Sequence, residues 1–312
     1  MDSSAVTLQT GIPVDAVTVA RLENAQLQVD VSPETGGRVT RLYHKTLDRD
    51  FLWRNPRLAL APAPYGAPYD PNFYGGLDDV IPGDLPERIG DLDCPDHGEL
   101  WTLPLQPERD GPTLRLRGQL PRWGLRVSKH FSLRPGASWL DVDYQIENVS
   151  GERRVFLWKL HAAAAISPGD QLDCPAATGS VADPRWSRWG AAAPFAWPLV
   201  AGQRADVIPP ADGTTDFLFL SDLRAGRVGL RRPDLGAEFS LAFDPQVFPY
   251  VCVFASYGGF DGHYTAVLEP STAMPLSVNE AARLGQCSRL AAGARLTTRV
   301  SLYAGPLRSD TG

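Results

Sequence analysis

The chain is short of cysteine, of lysine and of long apolar runs, and each shortage excludes something. Its four cysteines, Cys94, Cys174, Cys252 and Cys287, stand far apart and form no Cys-x-x-Cys pair. They are too few to staple 312 residues, so a reduced, cytoplasmic protein is expected. No apolar run approaches the ~18 residues of a membrane span. The opening Met1-Asp2-Ser3-Ser4 has no basic segment followed by an apolar one, so no secretion signal is expected either. Lysine occurs only at Lys45, Lys129 and Lys159, and the 30 basic residues are scattered among 36 acids for a net charge of −6, which argues against a nucleic-acid partner. Also missing are a Gly-x-Ser-x-Gly elbow, a phosphate loop ending in Gly-Lys-Ser/Thr, and Gly-x-Gly-x-x-Gly. Serine hydrolase, P-loop and dinucleotide chemistry therefore lack sequence support.

Glycine and proline are plentiful, at 29 and 28, which favours turns and short strands over long helices. Strand-like segments recur at 26–31, 38–44, 114–120, 125–133, 139–146 and 155–161, then at 217–221, 228–232, 238–243, 250–256, 264–269 and 296–303. In Leu140-Asp141-Val142-Asp143-Tyr144-Gln145-Ile146-Glu147 every second residue is apolar, as in a strand with one face on a core and the other in water. About a dozen such strands predict an all-β protein, a large antiparallel β-sandwich, with residues 1–312 as a single domain. One helix is expected over Ser277–Leu284, capped by Ser277 with Glu280 in capping-box spacing and stopped by Gly285. The irregular stretches Ala61–Pro95 and Ala176–Ala211 are rich in aromatics, which marks them as functional loops.

Three of the five histidines stand at segment ends beside acids, aromatics or glycine: His97, His161 and His263. His44 and His130 lack such company and read as structural. In Trp158-Lys159-Leu160-His161 the strand period puts Lys159 and His161 on one face, and a cationic pair needs a wet or acid-lined environment. Glu269 shares a face with Thr265 and Val267 at a strand end closed by Pro270, a plausible setting for a general base or for a plain surface acid. Cys94-x-x-His97 has metal-ligand spacing, but no second pair with accepted spacing follows, so no metal is expected.

Over most of its length the chain resembles the aldose 1-epimerase (galactose mutarotase-like) superfamily. Val31–Leu42 is similar to the family's early strand pair, and Phe51-Leu52-Trp53 to the short strand after it. Gly75–Gly83 and Asp96–Trp101 resemble the Gly-rich loop and His-Gly element bordering the sugar site. Ile146-Glu147-Asn148, His161 and Tyr264–Pro270 resemble the later Asn, His and Glu strands. The resemblance implies a β-sandwich with a carbohydrate site on its concave face and no cofactor. It implies Glu269 as the base that takes the anomeric proton and His161 as the acid at the ring oxygen, with His97 hydrogen-bonding the sugar. Asp79, Lys159, Trp101 and His263 complete the expected substrate contacts, Asp216 being the alternative to Asp79. Departures from the family pattern are Glu99, where a second glycine is usual, and Ala162-Ala163-Ala164-Ala165, where an aromatic pair is usual. The alanines are expected to widen the pocket floor. Two other readings compete. One is a non-catalytic carbohydrate-binding protein with Trp101, Trp158 or Tyr257 as stacking platforms; the other is a sugar-phosphate 1-epimerase clamping phosphate with Arg38, Arg88 and Lys159.

Overall fold

A computed structural model describes residues 5–309; the opening tetrapeptide read for a leader lies outside them. Alternating apolar residues build two large antiparallel sheets that face each other across the core. The 12-stranded sheet runs Thr7–Val14, Val17–Glu23, Leu27–Ser32, Arg38–His44, Leu77–Val80, Lys159–Ala165, Tyr264–Ser271, Tyr250–Tyr257, Thr214–Ser221, Thr178–Val181 and Phe195–Ala196, with Arg49–Asp50 branching off. The eight-stranded sheet runs Gln171–Asp173, Arg227–Arg232, Ala237–Ala242, Arg295–Pro306, Trp139–Asn148, Leu125–Leu133, Thr113–Gln119 and Gln106–Asp110. The one α-helix among the described residues is Val278–Leu284. Ser277 caps it by accepting from the Glu280 amide, and Gly285 ends it in the left-handed region. This is the all-β sandwich expected from the strand pattern, and no helix among the described residues is long and apolar enough to cross a membrane.

Alternation explains the core. Leu140, Val142, Tyr144 and Ile146 point between the sheets and are fully buried. Asp141, Asp143 and Glu147 point outward, where arginines pair with them. Each buried leucine or valine contributes ~1.5–3 kcal/mol. The Leu125–Leu133 strand breaks its own pattern, because Lys129 occupies an inward position and is completely buried. Its ammonium donates to the carbonyls of Gly36, at 2.7 Å, and Gly37 and ion-pairs with Asp79 of the opposite sheet.

The sequence expectation of one strand over 155–161 fails in an instructive way. The chain forms Arg154–Phe156, leaves it at Leu157 and Trp158, whose amides bond Pro82 and the Thr272 hydroxyl, and starts a second strand at Lys159. That second strand continues to Ala165, so the alanine run is the middle of a central strand despite alanine's weak β-propensity.

Candidate active site

Four neighbouring strands of the larger sheet, Lys159–Ala165, Tyr264–Ser271, Tyr250–Tyr257 and Thr214–Ser221, form the floor. The register that pairs Lys159 with Ser271 and Ala162 with Leu268 carries His161 to the level of Glu269. His161 also pairs with Asp78, and Glu269 with Cys252. Asp78, His161, Glu269 and Cys252 thus form a row across four adjacent strands. The walls come from the two long loops: Tyr69, Phe73, Asp84 and Leu85 from the first, Asp183, Arg185 and Trp186 from the second. Between floor and walls lies a cavity of about 280 Å³ on which His97, Lys159, His161 and Glu269 all open. A larger groove, on the outer face of the smaller sheet, is lined by cross-strand pairs of arginine with aspartate and glutamate and holds none of these groups.

His161 is held from behind. Its Nδ1 lies 3.1 Å from both Asp78 Oδ1 and the Tyr69 hydroxyl, and that hydroxyl donates to Asp78 Oδ2 at 2.9 Å. The arrangement favours a proton on Nδ1 and leaves Nε2, which has no partner among the described residues, to the cavity. Burial pushes Asp78 up, but the Arg38 guanidinium, 2.7 Å away, together with His161 and Tyr69, outweighs it, so the carboxyl stays ionised well below the usual carboxylate range. Burial and the Asp78 charge push the Tyr69 phenol far up, so it remains a neutral donor.

Glu269 meets the Lys159 ammonium at 3.0 Å and otherwise has no partner among the described residues. Lys159 also donates to Asp84 at 2.6 Å, and Asp84 lies 3.7 Å from His97 Nε2. Burial alone would lower Lys159, but Asp84, Cys252 and Glu269 raise it far above its ordinary value. Burial likewise raises Asp84, yet Lys159 and His97 pull it below the ordinary range. For His97 burial acts downward, while the 2.8 Å contact with Asp96 and the Asp84 charge act upward and win. The His97 ring stacks on Tyr69 at 3.9 Å. Its backbone is left-handed, at φ 56°, and the next residue must be glycine, because a β-carbon at Gly98 would collide with the Ile81 carbonyl. The strained turn fixes the imidazole at the cavity edge. Gly76 serves a similar close approach, passing beneath Val39 so that Leu77–Val80 can join the sheet.

Three expected contacts lie elsewhere. Asp79 follows Asp78 in its strand and therefore points to the opposite face. There it pairs with Lys129 and accepts from the Trp158 indole at 2.9 Å. Trp101 packs edge-on behind Tyr69 and donates to the Asp96 carbonyl, away from the cavity. His263 sits beside Trp53, Phe73 and Arg57. Asp216, the alternative to Asp79, is turned away as well, beside Arg188 and Tyr257. Burial raises its carboxyl to about 7. Trp158 and Tyr257 are buried and do not line the cavity, so neither is a stacking platform. Nor do the alanines widen the floor: Ala163 is covered by Trp53, Tyr69 and Phe73. Cys94 and Cys174 are buried free thiols, outside any metal-like cluster among the described residues. Tyr69, Asp78, Asp84 and Asp96 escape sequence reasoning as individual site residues, although Asp78 and Asp96 lie in segments that resemble the family's site elements and the aromatic richness of the first loop pointed to its use.

No family model matches the sequence. Solved structures do match the fold. A galactose mutarotase-like protein from Clostridium acetobutylicum superposes with a TM-score of 0.72 at 13% identity, over 97% of this chain and 99% of that one. One from Lactobacillus casei gives 0.67 at 15% identity, over 92% and 99%. A candidate aldose 1-epimerase from Escherichia coli K12 gives 0.69 at 18% identity, over 97% and 100%. The chain therefore has the galactose mutarotase-like fold, as a divergent example of it.

Proposed function

We propose that the chain is a cofactor-independent aldose 1-epimerase that interconverts the anomers of a hexose. The observation that carries this reading is the row that sets His161 and Glu269 at one level on adjacent strands, both open to one cavity. Ring opening needs a base at the anomeric hydroxyl and an acid at the ring oxygen in one geometry, and closure reverses the roles. Glu269 takes the hydroxyl proton, while His161, acting as an imidazolium whose Nδ1–H is held by Asp78, gives its Nε2 proton to the ring oxygen and is left as the neutral Nδ1–H ring, which takes the proton back on closure. His97 and Lys159, already tied to acids, present N–H groups to sugar hydroxyls. The four unpaired cysteines fit the reducing environment of the cytoplasm.

A silent carbohydrate-binding protein is the second reading, favoured by the ion pair that engages Glu269 with Lys159. The cations named for a phosphate clamp do not converge: Arg38 is spent on Asp78, and exposed Arg88 on Asp93. Anomer exchange measured by NMR saturation transfer decides between catalysis and binding. Catalysis above the spontaneous rate that disappears in Glu269→Gln, with the fold intact by circular dichroism, supports the epimerase; equal exchange in both proteins removes Glu269 from the mechanism.

A further inference from the structure

We infer that Tyr69 is a positioning residue for both histidines of the cavity, a single residue that sets the spacing and orientation of His97 and His161; the kinetic part of this rests on the epimerase reading, the spectroscopic part does not. Tyr69 is almost fully buried and touches both imidazoles. Its ring lies parallel to His97, the planes 5° apart, and stands edge-on to His161 with 5.4 Å between centres. The two imidazoles themselves meet at right angles, 5.8 Å apart. The Tyr69 amide donates to Asp96 Oδ2 at 2.8 Å, and the other oxygen of that carboxylate holds His97 Nδ1. His97 is thus gripped by the face of one residue and, through Asp96, by its backbone.

The far end of the same side chain holds His161. A phenol has one proton to give, and here it goes to Asp78 Oδ2. The oxygen therefore meets His161 Nδ1 as an acceptor, so that the Nδ1–H is shared between Tyr69 and Asp78 Oδ1. Asp78 Oδ2 also receives Arg38, which leaves the carboxylate little freedom to turn. In the epimerase cycle the Nδ1–H stays on the ring in both protonation states, so holding it keeps Nε2 aimed at the ring oxygen through opening and closure. Phenylalanine would supply the face without the hydroxyl, and serine the hydroxyl without the face; tyrosine supplies both. Tyr69 is itself fixed by Trp101, edge-on at 5.1 Å, whose indole donates to the Asp96 carbonyl. The turn that follows adds a bond from the Asn72 amide to the Tyr69 carbonyl at 2.8 Å.

Tyr69→Phe keeps the face and the amide and removes only the hydroxyl. It should lower kcat for anomer exchange about tenfold with KM within about twofold, because His161 loses a restraint while His97 keeps its own. Placed on Asp78→Asn, the same change should cost less than about threefold, since both residues act through one imidazole. Equal factors in the two backgrounds, or a raised KM with kcat unchanged, overturns the inference. NMR of 15N-histidine-labelled protein reads the positioning with no sugar present, the signals being assigned by His97→Gln and His161→Gln. The His161 Nδ1–H should be visible and slow to exchange with water in the wild type, and about tenfold faster in Tyr69→Phe, with the His97 signals in place. Its absence from the wild type overturns the inference without any variant. Equal exchange in the variant, or His97 signals displaced as far as those of His161, overturns it as well. If the ring N–H behaves as expected but the wild type exchanges no anomers, the epimerase reading falls and the placement of both histidines by Tyr69 stands.

Discussion

Lys129→Met tests the physical account of the core most directly, because it needs no substrate. The ammonium is completely buried, pairs with Asp79 across the two sheets and donates to two carbonyls. Methionine fills a similar volume but leaves the Asp79 charge uncompensated in a site where its other neighbours are the Trp158 indole and the Tyr144 hydroxyl. Breaking a buried pair from one side costs about 3–5 kcal/mol. At ~2.1 cal/mol/K of unfolding entropy per residue, that lowers the melting temperature of a chain of this length by roughly 5–8 °C. Urea unfolding monitored by circular dichroism and by tryptophan fluorescence gives the free energy, and an unchanged m-value shows that the unfolding unit is the same. Adding Asp79→Asn removes the stranded charge and keeps an acceptor for Trp158, so the double variant should recover more than half of the loss. A single-variant loss below ~1 kcal/mol, or a double variant worse than the single, would refute the reasoning.

Asp78→Asn should lower kcat for anomer exchange about 10- to 100-fold with little change in KM, since it loosens the orientation of His161 without touching the sugar; an unaffected kcat assigns Asp78 to folding alone. Lys159→Met should lower kcat/KM for anomer exchange about tenfold, because the ammonium that ties Glu269 to Asp84 at the cavity is gone, and Lys159→Arg should restore part of the loss. Stability should fall on both sides of a mid-pH plateau. Asp78 and Asp84 have folded-state values below their unfolded ones, so their contribution is present above pH ~4 and is lost as pH falls through the folded values. His97 is raised, so its contribution is present below pH ~6.5 and is lost as pH rises through its elevated value. Melting temperatures measured from pH 3 to 9 check this, and Asp78→Asn should flatten the acid side.

Strand period made half of the site legible in the sequence. It put Lys159 with His161 and Glu269 with Val267, and these are the residues that share the cavity. It failed where period carries no information. In Leu77-Asp78-Asp79-Val80 two adjacent acids must face opposite ways, and four residues do not say which one backs the cavity. Asp78 takes the outer face because Arg38 and His161 await it there, and Asp79 the inner because Lys129 does. Lys129 itself was visible as a lysine at an inward position of Leu125–Leu133, a signal that alternation could have supplied. The hairpin of Thr7–Val14 with Val17–Glu23 escaped because a register shift between Gln9 and Ile12, around a left-handed Gly11, breaks the alternation. Trp101 and His263 stand out by their company in sequence, but one lies in the single turn Leu100–Thr102 and the other in the short hairpin loop between Tyr257 and Tyr264, and sequence neighbours say little about which side of a turn a ring presents.

The covering of Ala163 by Trp53 and Phe73 has an evolutionary side. Because Ala163 contributes only a methyl group, the shape of the chamber is set by segments that cross the sheet, while His161 and Glu269 are anchored in the hydrogen-bonded ladder beneath. Descendants of such a protein could exchange a covering segment and acquire a different preference without disturbing the ladder, so diversification would be cheap in folding terms and confined to the parts of the chain most tolerant of insertion.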